Sequence, residues 1–213
     1  MKKTVCALMA MGLISSANAS TPIDGLYGSV FGGYTYIVNN ISRVNAAVLR
    51  DSVAYNDGFN GGIRFGYQGY PLRYEAEYTY IQGKTSNFNV NNLRQVGVTG
   101  DTVSNLIMGN VYYDTPEMLP CIMPFLGVGI GYANVSATLN STGPNGITRF
   151  KASDGLFAYQ VITGLTYNFA ENWAANLGYR YVATDSSDTL GKLAQYHIAS
   201  AGVVYRFDEA NYK

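Results

Sequence analysis

From Gly58 to Gln68 the chain alternates with a period of two: Phe59, Gly61, Ile63, Phe65 and Tyr67 on one set of positions, Asn60, Gly62, Arg64, Gly66 and Gln68 on the other. Successive side chains of a β-strand point to opposite faces, so such a segment is a strand with one apolar and one polar face. The pattern recurs in 72–81, where Arg73, Glu75, Glu77 and Thr79 oppose Tyr74, Ala76, Tyr78 and Tyr80. It recurs again in Leu156–Phe169 and Trp173–Ala183. Clusters of Gly, Pro, Asn and Asp bound four more candidate strands, Gly25–Val38, Thr102–Tyr113, Phe125–Ala137 and Gln195–Phe207. In 25–38 and 102–113 both faces are partly apolar, and their orientation stays open. No helical period is sustained beyond the leader.

The leader itself has the anatomy of a secretory signal. Lys2 and Lys3 precede an apolar core from Val5 to Ile14, and Ala17-Asn18-Ala19 forms a cleavage site before Ser20. Residues 1–19 are therefore expected to be removed on export through the general secretory route, taking Cys6 with them. Cys121 then stands alone, so no internal disulfide can hold the exported fold, and a free thiol in a turn is expected. Loss of Lys2 and Lys3 from 14 basic residues leaves 12 against 14 acidic ones, a net charge of −2. That balance indicates no nucleic-acid partner.

Alternation alone does not say which face is wet, because a soluble barrel would bury its aromatics and show the same period. Charged residues make up 13% of the chain, about half of the roughly 25% usual in soluble domains. Charges within strands, notably Arg64, Arg73, Glu75, Glu77 and Arg180, all share the non-aromatic face. The aromatic faces are too bulky for the inside of a narrow eight-stranded barrel, whereas the opposite faces are rich in Gly and small polar groups. Aromatic residues also gather at strand ends. Tyr34, Tyr36, Tyr78, Tyr80, Tyr179 and Tyr181 mark one end; Tyr67, Tyr112, Tyr113, Tyr167, Phe169 and Trp173 mark the other. Two such girdles are expected where amphipathic rings meet lipid headgroups. The expected fold is all-β: an eight-stranded antiparallel up-and-down transmembrane β-barrel, apolar face to lipid and charges in the lumen.

Connection lengths alternate. Segments 39–57, 82–100, 138–155 and 184–194 are long and polar, while Gly69-Tyr70-Pro71 and Ala170-Glu171-Asn172 are tight. The connection from Asp114 to Pro124, which holds Cys121, is intermediate. Long loops on the extracellular end and short turns opposite put both termini on the periplasmic side.

The last strand ends Ser200-Ala201-Gly202-Val203-Val204-Tyr205-Arg206-Phe207. Ser200, Gly202, Tyr205 and Phe207 resemble the assembly signal read by the outer-membrane insertion machinery, although six residues follow. With Asn110–Asp114, Pro124–Tyr132 and Phe157–Phe169, the exported chain resembles the OmpA-like and opacity-type small outer-membrane β-barrel family. The resemblance implies a Gram-negative outer-membrane protein serving as an adhesin, surface antigen, structural protein or porin.

Within that frame the candidate sites are few. Arg64, Arg73, Glu75, Glu77 and Arg180 read as a lumen charge network, a static plug rather than an ion path. His197 is the chain's single histidine, and Ser200 lies an odd number of residues away on the opposite face, so the two cannot cooperate in catalysis. One histidine and one distant cysteine supply no metal cluster. No catalytic, cofactor or metal site is expected. Gly127, Gly129 and Gly131 share a face and read as relief of crowding inside the barrel. The long loops carry Arg43, Arg50, Lys84, Arg94, Arg149, Lys151 and Lys192 among many Asn and Ser. The expected function is a monomeric surface-exposed adhesin, antigen or structural protein acting through those loops on host-surface or matrix ligands, surrounded by outer-membrane lipid and lipopolysaccharide. A small porin-like channel is the alternative, and a lipid-modifying enzyme the third reading.

Overall fold

The computed structural model describes residues 24–38, 41–43, 50–90, 93–94, 96–116, 121–143, 146–185 and 194–207. The leader with Ala17, Ala19 and Ser20, together with Lys192, lies outside the described residues, as do the side chains of the other six loop cations. Eight long strands run in chain order: β1 (Gly25–Ile37), β2 (Arg50–Gly69), β3 (Leu72–Val90), β4 (Val96–Asp114), β5 (Ile122–Gly143), β6 (Gly146–Asn168), β7 (Trp173–Thr184) and β8 (Gln195–Arg206). Each pairs antiparallel with its neighbours in sequence, and β1 pairs with β8 from Tyr27↔Arg206 to Ile37↔Tyr196. The sheet is thus closed, with no strand left carrying an unpaired edge along its barrel portion. Two short pieces, Ile41–Arg43 and Leu93–Arg94, pair onto the loop ends of β2 and β3.

The strands run further than the alternation suggested. Segments 82–100 and 138–155 were expected as loops, yet β3 continues to Val90, β4 starts at Val96, and β5 and β6 stay paired out to Gly143↔Gly146. The reason is that alternation reports an apolar face, whereas pairing requires only a neighbouring backbone. Polar hairpins beyond the apolar zone keep their ladders while losing the pattern.

The described side chains sort cleanly by parity. Outward residues form a central belt including Val30, Ile63, Val128, Leu177 and Val203. Tyr34, Phe59, Tyr78, Tyr132 and Tyr179 border the belt at the loop end, and Tyr67, Tyr113, Phe169, Trp173 and Tyr205 at the turn end. From Leu26 to Tyr36, β1 is the length that a tilted membrane strand of roughly 9–11 residues requires. Above Tyr132 and Phe157 the exterior turns polar: Ser136 and Ser153 are 3.0 Å apart, and Ser153 donates to Asn134 at 3.3 Å.

The two strands left open are settled. β1 turns Tyr27, Phe31 and Ile37 inward and Leu26, Val30, Tyr34 and Tyr36 outward. β4 turns Leu106, Met108, Asn110 and Tyr112 inward. Tyr112 is therefore not part of the turn-end girdle, as its position near a strand end suggested; it is 2% exposed, inside the barrel. Gly127 on β5 makes the space, since a Cβ there would lie 2.4 Å from the Tyr112 ring. Gly129 and Gly131 give the same relief, facing the Asn110 side chain at 2.0 Å and the Ile107 carbonyl at 2.0 Å from an added Cβ. Cys121 is a buried thiol at the turn end, with φ of 70°, and its carbonyl accepts from Asn168 N at 2.8 Å.

Candidate functional site in the barrel lumen

Among the described residues, parity brings polar side chains from every strand but β5 to one axis, and they stack in layers. At the turn end Arg206 donates from Nε to Gln68 Oε1 at 3.0 Å and from Nη2 to Asn168 Oδ1 at 2.8 Å. Above it Arg73 holds Asp114, with Nε 3.1 Å from Oδ2. Glu75 then accepts from Tyr27 OH at 2.6 Å, Tyr112 OH at 2.8 Å, Asn110 Nδ2 at 3.3 Å and Arg73 Nη1 at 3.3 Å. Glu77 accepts from Arg64 Nε at 2.8 Å, from Thr79 Oγ1 at 2.9 Å, and from Arg180 Nη1. The guanidiniums also stack on rings: Arg64 lies 3.9 Å from the Phe31 centroid and Arg73 4.1 Å from that of Tyr112.

The structure thus brings together Arg64, Arg73, Glu75, Glu77 and Arg180, and adds Asp114, Arg206, Tyr27, Tyr112 and Asn110, which the sequence reading omitted. A signal for two of them was available: Asp114 shares the parity of Asn110 and Tyr112, and Arg206 that of Ser200 and Gly202. Every carboxylate of the network is held by at least one guanidinium. Such saturation favours fixed geometry over proton transfer, because each acid is committed to several donors at once.

Toward the loop end the lumen changes character. Ile37, Ile81, Leu106, Met108, Ala133, Val135, Ala158, Val182, Tyr196 and Ile198 pack into one buried cluster. The small polar groups expected on the inward faces are present here too, as Thr35, Asn60, Thr102 and Ser104, but they are interleaved with these larger apolar side chains. In this half of the barrel apolar side chains meet across the axis, with a few hydrogen-bonded polar groups such as Ser104 and Tyr196 OH among them, and the ion-paired network lies on the turn side.

His197 faces outward, among Tyr36, Tyr179 and Tyr181 at ring distances of 6.1, 6.1 and 5.3 Å, with Nδ1 2.5 Å from Tyr179 OH. Ser200 points into the lumen, on the other side of the sheet. Gly202 also faces inward, next to Phe31, while Tyr205 stacks at the turn rim with Trp173 at 4.8 Å and with Phe207 at 5.3 Å. Among the described residues no group of three or more His, Cys, Asp and Glu could hold a metal.

The family model of the outer membrane protein beta-barrel domain matches residues 5–207. The chain belongs to this outer-membrane family. A curated relative, the "Outer membrane protein" of Gluconacetobacter diazotrophicus, is 33% identical over 187 residues, covering 76% of this chain and 47% of the relative. The chain therefore spans about half the length of that relative. Among solved structures, Neisserial surface protein A superposes with a TM-score of 0.57 at 19% identity, over 86% of this chain and 97% of that one. A major outer membrane protein from Thermus thermophilus gives 0.51 at 13% identity, over 85% and 99%. Both similarities are of fold. The outward apolar belt of this barrel is accordingly its lipid-facing surface in the outer membrane.

Proposed function

We propose that this outer-membrane barrel is a binding or structural protein displayed at the cell surface, acting through the hairpins at its loop end. The observation that supports it is the double closure of the lumen: an ion-paired layer at the turn end and an apolar cluster at the loop end. An ion crossing this layer would lose most of its hydration and meet only a few hydroxyl and amide groups and no opposite charge among the described side chains, which costs several kcal/mol. With the interior committed to filling, the surfaces left for recognition are the hairpins. The β5–β6 hairpin carries seven residues of β5 beyond Ser136, from Ala137 to Gly143, roughly 20 Å of ladder along the strand. Recognition grafted onto projecting segments of a rigid scaffold is a common arrangement.

In this reading the loop end is extracellular, both termini are periplasmic, and the chain is a monomer. Lipid and lipopolysaccharide surround the belt, and the insertion machinery reads Tyr205 and Phe207 at the rim. Host-surface or matrix ligands are the partners sought by the hairpins. Three measurements test it. In planar bilayers the purified barrel is expected to give no stable single-channel conductance; steady channels would replace this reading with the porin one. Protease added to intact cells is expected to cut only in 39–57, 82–100, 138–155 and 184–194, and cleavage at Asp114–Pro124 from outside would reverse the orientation. Excising 139–150, between the paired Thr138 and Lys151, is expected to lower binding to host cells or matrix at least several-fold. The unboiled protein should keep its anomalous gel mobility. Unaltered binding after excision of all four hairpin tips would remove the adhesin function.

A further inference from the structure

Among the described side chains of the outer wall, His197 is the only one able to carry positive charge; every arginine whose side chain is described points into the lumen. Cross-strand pairing sets His197 in one rung between Tyr36 of β1 and Tyr181 of β7, with Tyr179 on the diagonal. With the Tyr179 hydroxyl donating to Nδ1, the ring carries its hydrogen on Nε2 and presents it away from Tyr179. Among the described residues, neither Nε2 nor the hydroxyls of Tyr36 and Tyr181 have a protein hydrogen-bond partner.

The cluster stands at the loop-end edge of the apolar belt. His197 is four residues along β8 from Ala201, which pairs with Leu177 at mid-belt. That is roughly 13 Å of strand, or about 10 Å of height at a tilt of about 40°, close to the rim of a band about 25 Å tall. Toward mid-belt from the ring, the outward positions are small and exposed: Ala199 between Tyr34 and Tyr179, then Ala201 between Gly32 and Leu177. Polar donors at the rim and a low track beside them match one lipid, whose anionic head adjoins its chain. Two hydroxyls gathered beside an imidazole suit the several charged oxygens of a phosphate better than an ester carbonyl, which carries no charge and accepts fewer bonds.

We propose that this cluster holds the phosphate of one lipid headgroup. His197 Nε2 and the Tyr36 and Tyr181 hydroxyls donate to it, Tyr179 orients the imidazole, and an acyl chain lies over Ala199, Ala201 and Gly32. The site rests on the lipid-facing belt and is independent of which end of the barrel is extracellular. In the orientation proposed above, the lipid belongs to the outer leaflet.

The chain's single histidine makes the test specific. The full exported chain, untagged and isotope-labelled at the imidazole nitrogens, is refolded into vesicles of phosphatidylglycerol or of phosphate-free digalactosyldiacylglycerol. In the first, solid-state NMR is expected to show the Nε2 signal dephased by lipid phosphorus, more strongly than that of Nδ1. Inorganic phosphate added to the second is expected to give no dephasing. After extraction from an equimolar mixture into detergent, native mass spectrometry is expected to find phosphatidylglycerol retained roughly tenfold over the galactolipid, the ratio that one net charge-assisted hydrogen bond gives. His197→Phe, and Tyr36→Phe combined with Tyr181→Phe, keep an outward ring at each position. Both are expected to fold with unchanged gel mobility and to lose that preference. No dephasing at Nε2, equal retention of the two lipids, a preference that survives both variants, or dephasing by inorganic phosphate alone would overturn the proposal.

Discussion

Glu77→Gln is expected to reduce the unfolding free energy of the barrel by about 3–5 kcal/mol, the cost of breaking a buried ion pair from one side. Glu77 is 2% exposed and is the shared acceptor of Arg64, Arg180 and Thr79. Glutamine keeps the shape but removes the charge, leaving Arg180 of β7 without its carboxylate and Arg64 of β2 with only the longer contact to Glu75 at 3.5 Å. Glu75 cannot take over, since Tyr27, Tyr112, Asn110 and Arg73 already occupy it. The effect is measured as the urea midpoint in vesicles and as the temperature at which the unboiled gel band is lost. Changing Glu75 to Gln as well is expected to give less than the sum of the single effects, because the two acids share Arg64. Surface binding should be untouched. A shift below about 1 kcal/mol would mean that water, not protein, solvates these charges.

Leu177→Arg is expected to cost about 2–4 kcal/mol, the range for a cation facing lipid at mid-membrane. Leu177 is 62% exposed and lies midway along β7 between Trp173 and Tyr181, paired with Leu165 and Ala201. Three residues further on, the same strand carries Arg180 at no such cost, because parity turns it into the lumen beside Glu77. The two positions separate residue type from environment. Refolding yield into vesicles and the urea midpoint both report the change. A neutral outcome would mean that the outward belt meets water, which would contradict the lipid-facing assignment.

Much of this architecture was readable from parity. In β2, β3, β6 and β7 one face is bulky and the other small or polar, so a single look at alternate residues separates lipid from lumen. In β1 and β4 the alternation fails for a physical reason. The loop half of the lumen is itself apolar, and Ile37, Leu106 and Met108 give inward positions the hydropathy of outward ones. Tyr112 misled for a different reason: an aromatic near a strand end suggests the interface, and only the glycine across the sheet reveals room for it inside. Arg206 was overlooked because it sits within the assembly signal, where neighbouring aromatic positions attract the reading. The layering of ion pairs depends on which rung of one strand faces which rung of another, and that register is not a property of any single segment.

The pairing of β1 with β8 bears on the order in which the molecule can be made. On the side of β1 turned away from β2, Tyr27 finds its ladder partner only at Arg206, and Leu26 O is met by Phe207 N at 2.9 Å. Until the final strand is delivered, the first has one side of its backbone without a mate, and the basal bond from Arg206 to Gln68 cannot form. A chain stopped short of that strand would therefore be an open curl rather than a smaller cylinder, with no stable place in lipid. Closure of the barrel waits for Gln195–Arg206, and until that strand is in place the free edge of β1 has no partner.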